Sequence, residues 1–226
     1  MTRTEAPGEV PGEAPGEVPG RAWFGRDVHV VARDLLGALV TRRTSEGTVT
    51  VRLTEVEAYA GAEDPGSHAF RGETARNRTM FGGPGHVYVY RHLGLHHCMN
   101  VVCSPRGTAS AVLLRAGEVV EGVDLARARR AAAGVTRSDV DLARGPARLT
   151  VALGIGLADD GEDVTDPAGA LVLRVGTKAA GEVATGPRVG VSGDGGRADL
   201  FPWRAWLAGE PTVSPYRAAI SRRRPR

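Results

Sequence analysis

The sequence predicts an α+β fold: one mixed domain with a curved, largely antiparallel sheet, flanking helices and a protruding β-hairpin. Three observations point there. Runs with strand-like alternation lie close together in pairs, at residues 38–43 with 48–57 and at 86–92 with 96–103, each pair joined by a short turn. Helical patterns are scattered among these hairpins. The chain has 226 residues, of which 42% are hydrophobic and 24% charged, a length and balance that suit a single globular core.

In chain order, residues 6–20 repeat Pro-Gly-Glu units with too little apolar surface to offset the entropy of ordering, so residues 1–21 read as a disordered tail. The folded domain is expected over 22–217, starting at Trp23-Phe24-Gly25. Asp27 can cap a helix running to about Leu36, where Gly37 offers a stop. Residues 38–43 and 48–57 then form a hairpin around Thr44-Ser45-Glu46-Gly47. Residues 61–78 lack an apolar period, and a loop of that length with polar content suits binding.

Pro84-Gly85 opens a strand in which His86, Tyr88, Tyr90 and His92 share one face, and Leu93-Gly94-Leu95 turns it into a return strand at 96–103. A large apolar residue at a turn tip is unusual. Residues 109–115 form another strand, 121–133 and 145–153 are helical, and 170–175, 187–191 and 203–207 are short strand candidates. Residues 218–226 make a basic C-terminal tail.

The net charge is +3, but residues 1–20 hold one arginine against four glutamates, which leaves +6 on the remainder. With a sequence pI of about 9.2, that body favours an anionic partner such as nucleic acid. The two cysteines, Cys98 and Cys103, fall along one strand, a poor geometry for a disulfide, and read as small core residues in a reducing compartment. No apolar stretch is long enough to span a bilayer, so the expected setting is cytoplasmic, with no membrane partner.

The sharpest chemical clue is in residues 49–59. Strict alternation puts Val49, Val51 and Leu53 on one side with Glu55, Glu57 and Tyr59, so that an apolar face runs into two carboxylates. Two readings fit: a strand emerging into solvent, or a cleft in which the carboxylates are paired. The strand at 109–115 likewise ends its apolar face on a charge, Arg115, and a Glu57–Arg115 pair can be structural or catalytic.

These residues, with their order and spacing, carry a family likeness. Glu55-Val56-Glu57-Ala58-Tyr59, His68, Arg76-Asn77-Arg78, Met80-Phe81, Val87-Tyr88-Val89-Tyr90, Cys98-Met99-Asn100 and Leu113-Leu114-Arg115-Ala116 together resemble the alkyladenine type of 3-methyladenine DNA glycosylase. Gly145-Pro146-Ala147-Arg148-Leu149 and Arg188-Val189-Gly190-Val191 extend the resemblance.

The resemblance implies a monofunctional enzyme, needing no cofactor or metal, that acts as a monomer on double-stranded DNA containing damaged purines. It flips an alkylated purine (3-methyladenine, 7-methylguanine or hypoxanthine) out of the duplex and hydrolyses its N-glycosidic bond. Glu57 then corresponds to the carboxylate that activates water and faces an oxocarbenium-like transition state, Arg115 helps hold that water, and the Val191 carbonyl is a further acceptor. Tyr59, His68 and Tyr90 correspond to the walls around the flipped base, Asn100 to a screen against exocyclic amino groups, and Leu93 to the wedge that fills the vacated stack. Arg76, Arg78 and Arg188 are candidates for phosphate contacts.

Leu93 departs from the family pattern, which places a tyrosine at the hairpin tip, and Arg91, His92, His96 and His97 also differ from it. Two alternatives stand beside the glycosylase: a metal-dependent hydrolase using His92, His96 and Cys98, and a lesion-binding protein without turnover.

Overall fold

Asp27 starts the helical order as its spacing predicts. In the computed structural model, which describes residues 16–176 and 181–219, its carboxylate accepts from the backbone N–H groups of His29 and Val30. That cap opens helix α2 (Val28–Asp34), which follows the single turn α1 (Arg21–Phe24). The hairpin β1 (Leu39–Thr44) and β2 (Gly47–Ala60) comes next, then a long loop, then β3 (Val87–His92), β4 (His96–Cys103) and β5 (Ser110–Glu121). Helices α3 (Val123–Ala133) and α4 (Pro146–Leu153) precede the short strands β6 (Leu171–Arg174), β7 (Val183–Gly186) and β8 (Arg204–Leu207).

The strands join in one sheet of order β3-β4-β5-β2-β1-β6, and every pairing is antiparallel. The first half of β2 pairs with β1 up to Arg52, and its second half pairs with β8 from Glu55 to Glu57. One sheet face buries the main core, in which Val51, Leu53, Val56, Val101 and Leu114 meet apolar residues of α1, α2, α3 and α4. The opposite face carries a smaller cluster, including Met80, Tyr88, Val102 and Ala111, beside which the polar residues of interest gather.

Strict alternation along β2 fails at a decisive place. The β2–β5 register runs Leu53↔Gly117, Glu55↔Ala116, Val56↔Leu114, so Thr54 is an extra residue on one strand and Arg115 an extra residue on the other. The first of these bulges shifts the parity of β2. Leu53, Val56 and Ala58 all belong to the main core, and Glu55, Glu57 and Tyr59 fall on the opposite face rather than extending the face of Val49, Val51 and Leu53. β-Bulges bend a strand and re-aim its side chains, and here two adjacent ones flank Glu55.

Two further expectations change. Residues 187–191 are not a strand: the ladder lies just before them in β7 and ends at Gly186, because Pro187 has no N–H to donate. The tail expected over 1–21 ends earlier, since Glu17 and Val175 exchange backbone hydrogen bonds of 3.0 and 2.9 Å. Residues 1–15 lie outside the described residues, as do 220–226 of the C-terminal tail.

Candidate active site

Four strands deliver side chains to a cavity of about 480 Å³ on the smaller-cluster face of the sheet. From β2 come Glu57 and Tyr59, from β3 Tyr88, Tyr90 and His92, from β4 Cys98 and Asn100, and from β5 Leu113 and Arg115. Cross-strand pairing sets this array, with Tyr88 opposite Asn100 and Tyr90 opposite Cys98. His68 on the long loop and Val189, Gly190 and Val191 on the loop after β7 close the sides. The cavity thus gathers six of the residues singled out in the sequence: Glu57, Tyr59, His68, Tyr90, Asn100 and Arg115.

Glu57 lies at the floor with 0% exposure. Its Oε1 accepts the Val189 N–H at 2.7 Å and meets Arg115 Nη1 at 3.2 Å, and its Oε2 accepts the Tyr59 hydroxyl at 2.8 Å. A carboxylate offers about four lone-pair sites. Two accept hydrogen bonds, from the Val189 N–H and the Tyr59 hydroxyl, and Arg115 adds an ion pair, so acceptor capacity remains for a donor that enters the cavity. Burial, with the Glu57 carboxylate next, pushes the Tyr59 phenol well above its ordinary value, so Tyr59 stays a neutral donor.

Behind Glu57 a second carboxylate is just as buried. Glu55 Oε1 accepts from Arg115 Nε at 2.8 Å and from Arg204 Nε at 2.6 Å, and its Oε2 accepts the Ser214 N–H at 2.7 Å. Burial alone would raise the Glu55 carboxyl, but the Arg115 and Arg204 guanidiniums and the Ser214 donors outweigh it and hold the group below its usual range. For Arg115 burial works against the charge, and Glu57 and Glu55 overcome it, raising its value. Glu55 therefore stands in the cleft reading rather than the solvated one, and Arg204 and Ser214 are partners that sequence reasoning missed. They lie 149 and 159 residues from Glu55, and no local pattern links them.

The walls are aromatic. The Tyr88 and Tyr90 rings stack at 5.5 Å between centroids, and His68 meets Tyr90 edge-on at 4.6 Å. Burial raises both tyrosines, Tyr88 to about 12, and burial followed by the Arg76 and His92 charges lowers His68, favouring its neutral form. Asn100 is buried and donates to the Tyr88 carbonyl at 3.1 Å. Cys98 lines the cavity as a free thiol, raised by burial.

Outside the cavity, Leu93 and Leu95 protrude at the tip of the β3–β4 hairpin, 75% and 79% exposed, and Leu93 takes a positive φ of 50°. Arg76 and Arg78 are exposed on the long loop, Arg76 over the Tyr90 ring at 5.5 Å. Arg188 corrects an expectation. It is buried at 1% exposure, donates to the Asp64 carboxylate and to the carbonyls of Ala58 and Gly195, and stacks under Tyr59 at 4.6 Å, so a phosphate cannot reach it. Gly66 permits that packing, because a Cβ there would lie 2.5 Å from Arg188 Nη2. His92, His96 and Cys98 do not assemble into a ligand set, and no cluster of three or more metal-binding side chains occurs among the described residues.

Comparison with known proteins adds the family. The model of the methylpurine-DNA glycosylase family matches residues 22–211. The chain belongs to this family. Methylpurine-DNA glycosylases are hydrolases of N-glycosyl bonds in DNA repair. A Streptomyces avermitilis protein named "Putative 3-methyladenine DNA glycosylase" is 57% identical over 90% of this chain and 94% of its own length. Proteins with the same name from Leifsonia xyli subsp. xyli and Nocardia farcinica are 58% identical (85% of this chain, 92% of theirs) and 51% identical (84% and 88%).

Proposed function

We propose that this glycosylase flips an alkylated purine out of duplex DNA and hydrolyses its N-glycosidic bond with a water activated by Glu57, leaving an abasic site. The observation that carries this reading is the buried Glu57 carboxylate lining the cavity, held by the Val189 N–H, the Tyr59 hydroxyl and the Arg115 ion pair with acceptor capacity to spare. A water donating to that carboxylate is polarised for attack, and the same negative charge faces the cationic sugar that forms as the bond breaks. Arg115 and the Val189 N–H hold the carboxylate in one orientation throughout.

Lesion choice follows from the walls. A base in the cavity meets the faces and edges of Tyr59, Tyr90 and His68, and π faces favour cationic purines such as 3-methyladenine and 7-methylguanine. Hypoxanthine is neutral and needs a proton as it departs, so it is the slower substrate. Asn100 at the cavity wall screens exocyclic amino groups. Leu93 fills the vacated stack as an apolar wedge, and Arg76 and Arg78 hold phosphates while the protein works as a monomer in the cytoplasm.

The test is base release from methylated duplex DNA by the wild-type protein and by Glu57→Gln, each with and without EDTA. Release of 3-methyladenine and 7-methylguanine that survives EDTA and falls by about 10²- to 10⁴-fold in the variant is the expected result. Undiminished release by Glu57→Gln removes the mechanism, and lesion binding without release by the wild type replaces it with a binding-only role.

A further inference from the structure

Arg115 can serve Glu57 only if its guanidinium stays put, and nothing on β5 itself holds it. What fixes it comes from two other places. Glu55 Oε1 takes the Arg115 Nε proton at 2.8 Å, and Ser214 Oγ accepts from Arg115 Nη2 at 3.2 Å. Ser214 in turn is bound to Glu55 twice, through its N–H at 2.7 Å and its hydroxyl at 3.0 Å.

Ser214 sits in a C-terminal segment pinned along its length behind the cavity. Thr212 shares a hydroxyl hydrogen bond of 2.8 Å with Thr54, the Val213 carbonyl accepts from Arg144 at 2.9 Å, and the Ser214 carbonyl accepts from Arg204 at 2.7 Å. The Arg217 carbonyl then accepts the N–H of Gly190, on the loop whose Val189 holds Glu57. Residues 212–217 therefore join the two sides of the catalytic pair, and they lie beyond the 22–211 matched by the family model.

We propose that residues 212–217 form a strap that completes the active site, with Ser214 and Glu55 as positioning residues that clamp Arg115 against Glu57. This rests on the glycosylase reading above. The Arg115 fork has fixed geometry: with Nε on Glu55 and Nη2 on Ser214, Nη1 is the nitrogen left for Glu57. Without the clamp the guanidinium can turn, and Glu57 loses the donor that orients it. Neither Ser214 nor Glu55 lines the cavity, so neither touches the base.

The experiment compares wild type, Ser214→Ala, Ser214→Thr, Glu55→Gln and Glu57→Gln by single-turnover base release from methylated duplex DNA, by affinity for the same DNA, and by thermal melting. Ser214→Ala is the mild variant, since it keeps the backbone bond to Glu55 should Glu55→Gln fold poorly. A displaced catalytic group costs on the order of 10²-fold. Ser214→Ala and Glu55→Gln are expected to slow release by about 10- to 100-fold at unchanged affinity, with Ser214→Thr restoring most of the rate. Unchanged rates, or rate and affinity falling together with the melting temperature, overturn the clamp. A second readout needs no activity: the Arg115 Nε–H proton resonance, assigned by its loss in Arg115→Lys, should be protected from exchange in wild type and Ser214→Thr and exposed in Glu55→Gln. If the wild type releases no base, the glycosylase reading fails by itself, and persistence of that protected resonance in Glu55→Gln is then what overturns the clamp.

Discussion

Two arginines show how burial decides a role. Arg115 and Arg188 are both enclosed and paired with carboxylates, yet one faces the cavity floor and the other lies beneath its wall. Removing one member of a buried ion pair leaves the other charge stranded, typically at a cost of about 3–5 kcal/mol. Arg188→Met is therefore expected to destabilise the protein by about that amount, because Asp64 loses its partner. Urea denaturation measures it, and a loss under about 1 kcal/mol contradicts the burial argument. Arg115→Lys is a gentler change that keeps a charge but replaces a three-way fork with a point. Base release should fall by about 10²-fold while lesion affinity holds, since orientation rather than charge is lost. Arg115 stands out in the sequence as a charge ending a strand's apolar face, and Glu57 is singled out by the family resemblance although its face is misread, whereas Arg188 is placed on the surface. The Asp64 that buries Arg188 is 124 residues away, and loop arginines carry no local sign of their partners.

Elements were legible where short-range chemistry sets them. The Asp27 cap, the 44–47 turn, Pro146 at the start of α4 and the alternation through β3 and β4 all appear where local rules put them. The β2 bulge was not legible, because it arises from the register with β5, and the face of Glu57 was consequently misassigned from alternation. At the hairpin tip the local rule and the expected role oppose each other. Leucine at φ 50° is strained by roughly 1–2 kcal/mol relative to glycine, and its exposed side chain stabilises nothing in the free protein. Leu93→Gly should thus melt at the same or a higher temperature than wild type, yet bind lesion-containing duplex more weakly for want of a wedge. Leu95→Ala, which changes the neighbouring exposed residue alone, separates the two tip leucines. Lesion affinity unchanged in Leu93→Gly removes the wedge from the account.

At the scale of the molecule, the charges split into an enclosed set and an open one. Around the cavity Glu55, Glu57 and Asp64 are matched by Arg115, Arg188 and Arg204, so the site presents no excess cation to DNA. On the proposed reading Arg76 and Arg78 are the exposed candidates for phosphate contacts, and each such contact removed should reduce the slope of log K against log salt by about 0.9. Arg78→Ala is expected to show that change, and a conservative disruption of the buried set such as Ser214→Ala is not. The enclosed set sets the acid limit instead. Glu55 is held below its ordinary value of 4.5 by Arg115, Arg204 and Ser214 against the opposing effect of burial, so the unfolded chain takes up its proton first as pH falls. Its contribution is fully present above that ordinary value and is lost as pH drops through the lower folded value. Urea midpoints measured from pH 7 downward should therefore fall below about pH 4.5 in the wild type. Glu55→Gln, less stable at neutral pH, should lose less over the same interval, because it has no carboxylate there to protonate. Parallel curves for the two proteins would mean that the acid sensitivity lies in the exposed carboxylates and not in the clamp behind the site.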